Sequence, residues 1–202
     1  MRFLIAYNDD ASDDACVFFK FCGEEMIFDT GDCGYESIVF TPPFLTNSIL
    51  LQNITECQVC FIANHGDTKS IDGCSGDIVS VNTNNKLFAG KLLYVVSCSC
   101  AKELKDKLVS DGLLSFWGYD NELKVWNGYP QYGRCCMSGM KNLLDGKNIK
   151  EAKEAMLVQF DNDIIELEEQ YPDNPILAAD LLDDREALVV YGEDELKLSD
   201  LT

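Results

Sequence analysis

Histidine is almost absent from this chain. His65 is the one histidine in 202 residues, so any cysteine–histidine chemistry has to run through that position. Positive charge is also scarce. Lys and Arg together number 16 against 35 Asp and Glu, a formal net charge of -19. A field of that sign repels nucleic-acid backbones and anionic lipid surfaces and attracts basic substrates or basic partners. Neither nucleic-acid binding nor membrane contact is therefore expected. No apolar run reaches the length that crosses a bilayer. The N-terminal text MRFLIAYNDDASDD lacks the basic start, long apolar stretch and small-residue cleavage site of a secretory signal, and the expectation is a cytoplasmic protein. Internal repeats, low-complexity tracts and linkers are missing too, which points to one domain over residues 1–202.

The remaining composition, 47% apolar, 10% aromatic and 25% charged, is that of a folded globular chain with a full core. Its ten cysteines are an even number, but the size of the chain and the missing signal argue against a disulfide framework. Cys57 and Cys60 have CxxC spacing, and Cys98 and Cys100 form another close pair. Cys60 lies inside strand-like text, and no glycine knuckle separates the sulfurs, so zinc is not expected there. No metal and no cofactor is expected elsewhere.

Strand text begins at MRFLIAYND. ACVFFKF and EMIFDTG read as a hairpin closed by Cys22-Gly23-Glu24. TPPFLTNSILLQNI has helical spacing after its prolines. QVCFIANHG and KLLYVVSCSC are nearly continuous apolar runs, the signature of strands covered on both faces. Between them lies loop text with a short strand near IVSV. AKELKDKLVSDG is a short helix stopped by Gly112, LLSFWGY is a third buried strand, and KVW is a short edge or extension. Beyond Gly128 the pattern is helical. One helix runs over YGRCCMSGMKNLLDG. A long one, capped by Asn148 and ended by Pro172, places residues 149, 152, 156, 157, 160, 164 and 167 on one face, and a short one runs over NPILAADLLDD. EALVVYG closes the chain as a strand, and the tail ELKLSDLT carries no clear pattern. Alternating strands and helices with continuous apolar strands imply a three-layer α/β domain with a mostly parallel central sheet flanked by helices.

His65 and Cys98 each stand at the C-terminal end of a buried strand, where open parallel sheets place their ligand sites. Neighbouring strands would present imidazole and thiol on one edge, the arrangement a cysteine nucleophile and its base require. The backbone N–H groups of Gly66 and Cys98 would then serve as oxyanion donors. A hydrogen-bonded surface histidine and a strand cysteine that merely fills space are the competing readings.

The flanking text resembles the caspase-like cysteine peptidase superfamily, clan CD, and most closely the CHAT domains related to caspases, separases, clostripain and gingipains. In that group one hydrophobic strand ends in His-Gly and a second in a Ser-Cys triplet. VCFIANHG and LLYVVSCSCAKEL match in order, strand context and a separation of 33 residues. The resemblance implies a caspase-like fold and cysteine endopeptidase activity, with His65 as base and Cys98 as nucleophile forming an acyl-enzyme. It also implies protein or peptide substrates. Cys100 creates a register ambiguity, resolved toward Cys98 because the strand breaks there. In this group an S1 acid selects Arg or Lys. Among Asp10, Asp29, Asp32, Asp67 and Asp120, the favoured substrate-binding residue is Asp120, at the end of the LLSFWGY strand. Asp67 is a candidate to orient His65. The alternatives are a catalytically silent or partner-activated adaptor in an antiviral defence or cell-death system, with a regulatory protein partner, and a redox or metal-binding thiol protein based on Cys98 and Cys100. Trp117, Tyr119, Trp126, Tyr129 and Tyr132 are candidates for a cleft wall or for packing. Cys135 and Cys136, at a helix start, read as packing residues.

Overall fold

The structure, a computed structural model, describes residues 1–201. Six strands form the central sheet: β1 (Arg2–Tyr7), β2 (Glu36–Phe40), β3 (Val59–Ala63), β6 (Leu92–Val96), β7 (Ser115–Tyr119) and β8 (Leu188–Tyr191). Their order is β2-β1-β3-β6-β7-β8. The first five run parallel and β8 pairs antiparallel with β7. A small antiparallel pair, β4 (Ser70–Ile71) and β5 (Val79–Ser80), lies in the loop after β3, where the IVSV text indicated a short strand.

The two faces of the sheet are covered by different helices, and the period-2 geometry of strands sorts the core accordingly. Phe3, Ile5, Phe61, Tyr94 and Trp117 face a core shared with α1 (Asp14–Asp32), α4 (Pro130–Leu144), α5 (Ile149–Gln170) and α6 (Ile176–Ala187). Leu4, Cys60, Ile62, Leu93 and Phe116 face α2 (Asn47–Asn53) and α3 (Glu103–Ser110). Burial on both faces explains why the β3 and β6 text is continuously apolar. The expected three-layer α/β architecture is what forms. The Asn148 cap is a full capping box: Asn148 Oδ1 accepts from the Glu151 N–H at 2.8 Å, and the Asn148 N–H donates to Glu151 Oε2 at 3.1 Å. Gly112, at φ +103, ends the α3 segment in a conformation that L side chains rarely adopt.

Four local expectations change. The hairpin expected over 15–31 is the single 19-residue helix α1. Asp13 caps it by accepting the Ala15 N–H at 2.9 Å. Cys16, Phe19, Cys22, Gly23, Met26 and Thr30 are buried at helical spacing. Gly23 misleads because it resembles a turn residue, whereas its role is close packing. A Cβ there would lie 2.3 Å from Tyr7 Cγ on β1. Strand β2, unassigned in the sequence, is an edge strand with no fully buried residue and so no hydrophobic signature. Residues 124–126, read as a strand extension, are irregular. The tail forms a short 3₁₀ turn, Leu198–Asp200, and Leu198 and Leu201 join the core.

Helix propensity alone predicts that Gly23→Ala stabilises the protein by up to about 1 kcal/mol. Because the Tyr7 ring occupies the space, the substitution is expected instead to lower stability by about 1–3 kcal/mol in urea unfolding, the range for overpacking a core.

Candidate active site

β3 and β6 are register partners from Val59↔Leu92 to Ala63↔Val96, so the chain leaves both strands at the same level. The Asn64 N–H extends the pairing by donating to the Val96 carbonyl at 3.2 Å. Asn64 is buried and holds the exit of β3. Its Nδ2 donates to the Asp72 carbonyl at 2.6 Å, and its Oδ1 accepts from Asn8 Nδ2 at 3.0 Å and from the His65 N–H at 2.9 Å. The His65 ring that follows is half exposed. Its Nε2 lies 2.8 Å from Asp13 Oδ2, and its edge packs on the Phe19 ring with centroids 5.2 Å apart. A carboxylate is an acceptor only, so Nε2 carries the proton in this contact. Nδ1 makes no hydrogen bond among the described residues, and in the neutral ring it carries the lone pair. The same bond, followed by the Ala15 N–H, holds the Asp13 carboxyl below its usual range.

Ser97 and Cys98 follow β6. Ser97 is fully buried. Ser99 sits at φ 55, a left-handed conformation unusual for a residue other than glycine, and its N–H donates to the Asn121 carbonyl at 2.8 Å. This turn leaves Cys98 half buried at the edge of the sheet, its Sγ accepting the Leu123 N–H at 3.4 Å. Burial pushes the Cys98 thiol up from its ordinary value, with the Leu123 N–H opposing, and so disfavours the thiolate. Cys100 is placed differently. It is fully buried in the α2–α3 core beside Gly118, and burial pushes its thiol up to about 12.

His65 and Cys98 line one cleft of about 380 Å³, with Phe19 and Leu123 as apolar wall. Its charged lining is Glu122, Lys124 and Asp180. Lys124 Nζ donates to Glu122 Oε2 at 2.6 Å, and Trp126 Nε1 donates to Asp180 Oδ2 at 2.8 Å. Beneath it Asp184 is fully buried and accepts the Lys124 N–H at 2.7 Å. Desolvation, against that hydrogen bond, raises its carboxyl to about 8. The N–H groups of Gly66 and Cys98 donate to no acceptor among the described residues. Gly66 also has a packing reason to be glycine, since a Cβ would lie 2.5 Å from Ser97 Oγ and 2.7 Å from the Ser70 carbonyl.

Not every candidate residue reaches the cleft. Asp120 follows β7, with its N–H donating to the Ala187 carbonyl at 2.9 Å, and does not line this cleft. Asp67 turns onto its own loop and accepts the Lys69 and Ser70 N–H groups at 2.7 and 2.8 Å. The carboxylate on His65 is Asp13, which the hairpin reading concealed. An Asp-Asp pair ahead of an apolar 3–4 spacing is a helix-cap signal that could have found it. Cys16, three residues further along α1, is also beside the imidazole, its Sγ 4.0 Å from Nε2. It is buried, and desolvation followed by Asp13 raises its thiol to about 11. Trp117, Tyr119 and Tyr132 are core residues, whereas Trp126 and Tyr129 line a second, mostly apolar cleft beside the first. Cys135 and Cys136 are buried and packed, as expected.

No family model matches the chain. No curated protein matches it either. Among solved structures it is similar to the Arg-specific cysteine proteinase gingipain R, with a TM-score of 0.68 and 12% identity over 97% of this chain and 47% of that one. It is similar also to the complex of pro- and mature domains of the Porphyromonas gingivalis enzyme, with a TM-score of 0.62 at 12% identity and the same coverage. The chain thus spans about half the length of these structures. At this identity the likeness is one of fold: a six-stranded, mostly parallel sheet between helical layers, the caspase-like fold of gingipain R.

Proposed function

We propose that the chain is a cysteine endopeptidase in which Cys98 is the nucleophile and His65 the base. The observation that carries this reading is the single cleft shared by the two side chains at the C-terminal edge of neighbouring parallel strands. In the proposed reaction Nδ1 of His65 takes the Cys98 proton, and Asp13 stabilises the resulting imidazolium. The thiolate attacks the scissile carbonyl, and the N–H groups of Gly66 and Cys98 receive the oxyanion. Collapse of the tetrahedral species expels the amine, which takes the proton from His65. Water, deprotonated by His65, then hydrolyses the acyl-enzyme. The resting thiol favours a mechanism that forms the thiolate on engagement of substrate or of a regulatory protein partner.

A basic residue before the scissile bond fits the cleft carboxylates Glu122 and Asp180 and the charge of -19. The Arg specificity of gingipain R is consistent with that preference. In this reading Asp180, inside the cleft, is better placed than Asp120 to meet such a side chain.

Cys98→Ala and His65→Ala are each expected to lower cleavage of Arg- or Lys-containing fluorogenic peptides by roughly 10²-fold or more, with unchanged circular dichroism. Cys100→Ala is expected to retain activity, and its inactivation alone would reverse the register. Asp13→Asn is expected to lower kcat by roughly 10²-fold with KM unchanged and with partial recovery in Asp13→Glu. A rise in KM alone would remove Asp13 from the role of positioning residue. Alkylation of Cys98 by iodoacetamide, followed by mass mapping, reads its ionisation. Burial disfavours the charged form, so the rate is expected to climb with pH through a midpoint above that of an exposed thiol. A rate already at its plateau near pH 7 would instead indicate a preformed thiolate.

A further inference from the structure

Asp13, Cys16 and His65 bring a carboxylate oxygen, a sulfur and an imidazole nitrogen to within 4.8 Å of one another, and no other group of three or more such donors meets this condition among the described residues. Neither of the two paired-cysteine segments considered from sequence takes part. We propose that this cluster is an inhibitory zinc site, distinct from the nucleophile and sharing His65 and its partner Asp13 with the proposed catalytic apparatus.

The geometry is near what zinc requires. Bond lengths of about 2.0 Å to nitrogen or oxygen and about 2.3 Å to sulfur, at tetrahedral angles, separate nitrogen from sulfur by about 3.6 Å and nitrogen from oxygen by about 3.3 Å. The observed Nε2–Sγ separation is 4.0 Å and the Nε2–Oδ2 separation 2.8 Å. Shifts of about half an ångström in each would bring the three donors onto one ion. Asp13 is the N-cap of α1 and Cys16 lies in its first turn, and the start of that one helix brings both side chains to His65 Nε2. His65 comes from the end of β3, already held by Asn64 and by Phe19. Cys16 is buried, but the Asp13 and His65 side chains are 44% and 39% exposed, so the ion enters from solvent and keeps water as its fourth ligand. A mixed sulfur, nitrogen and oxygen set favours zinc over the hard cations magnesium and calcium.

The inhibitory effect rests on the peptidase reading and follows from the tautomer. Without metal, Nε2–H faces Asp13 and Nδ1 carries the lone pair. Zinc forms bonds to Cys16 Sγ, Asp13 Oδ and His65 Nε2. The Cys16 thiol proton passes to solvent, and the imidazole proton moves from Nε2 to Nδ1, so one proton is released per zinc bound. An Nδ1 that carries a proton cannot accept the one on Cys98. Occupancy therefore switches off the base without touching the nucleophile, and removal of zinc restores it.

The test is competition for Zn²⁺ with a chromophoric chelator, performed on the full chain without substrate. One zinc per chain is expected. Cys16→Ser and Cys16→Ala should each weaken binding at least tenfold, and Cys98→Ala should bind as the unsubstituted protein does. Co²⁺ in place of zinc should give a sulfur-to-cobalt charge-transfer band that persists in Cys98→Ala, a readout that survives if the Cys16 variants do not fold. Absence of bound zinc, unchanged affinity in the Cys16 variants, or loss of zinc and of the cobalt band in Cys98→Ala would each overturn the site. The last result would place the ion on the nucleophile instead. If zinc binds as described while Cys98→Ala still cleaves peptides, the peptidase reading fails and the metal site stands.

Discussion

Ala63 and Val96 are paired in register at the carboxyl ends of β3 and β6, and the proposed chemistry depends on that pairing. A parallel pair sends both chains out of the sheet on the same side. The two residues after each strand then decide what is presented there. Asn64 is spent on the scaffold, tying three loops together, and His65 is left half exposed. Ser97 is buried, and the left-handed turn at Ser99 releases Cys98 into the cleft while returning Cys100 to the core. Two cysteines only two positions apart thereby face different environments. The ambiguity between them in sequence becomes a difference between a half-buried thiol in the cleft that His65 also lines and a sealed one in the opposite layer.

Helix α1 supplies the rest of the environment of His65. Asp13 caps the helix through Ala15 and receives His65 Nε2 with the same carboxyl group. The position of the helix therefore sets the tautomer of the histidine. That position depends in turn on Gly23, where the Tyr7 ring meets the helix backbone. Packing between β1 and α1 thus reaches His65 through one hydrogen bond. The proposed zinc site uses the same coupling, since its ligands are the cap, the next inward-facing residue of the helix, and the base.

Much of this was legible in the sequence, for identifiable reasons. β3, β6 and β7 are buried on both faces and declare themselves as apolar runs, which places His65 and Cys98 at strand ends from the sequence alone. The long α5 helix was visible in its spacing and its capping box. Strand β2 was not, because an edge strand with little buried surface has no hydrophobic pattern to read. Helix α1 reads as a hairpin in the sequence because consecutive aromatic and β-branched residues around a glycine imitate strands and a turn. Without the helix there is no cap, and without the cap Asp13 is one acid among many. Asp67, nearer in sequence to His65, was the natural candidate to orient it, but its carboxylate is consumed by its own loop. Asp120 illustrates the same limit, since its place after β7 was read correctly while the cleft turned instead toward the 122–126 segment and Asp180.

The central claim is that His65 and Cys98 act together on peptides, with a basic residue before the scissile bond. Treatment with acyloxymethyl-ketone probes carrying Arg, Lys, Asp or Leu at that position, followed by mass mapping of the modified residue, tests it most directly. The account predicts covalent labelling of Cys98 by the Arg and Lys probes, lost in His65→Ala. Labelling of Cys16 or Cys100 in its place, or labelling of Cys98 that is indifferent to the loss of His65, would contradict it.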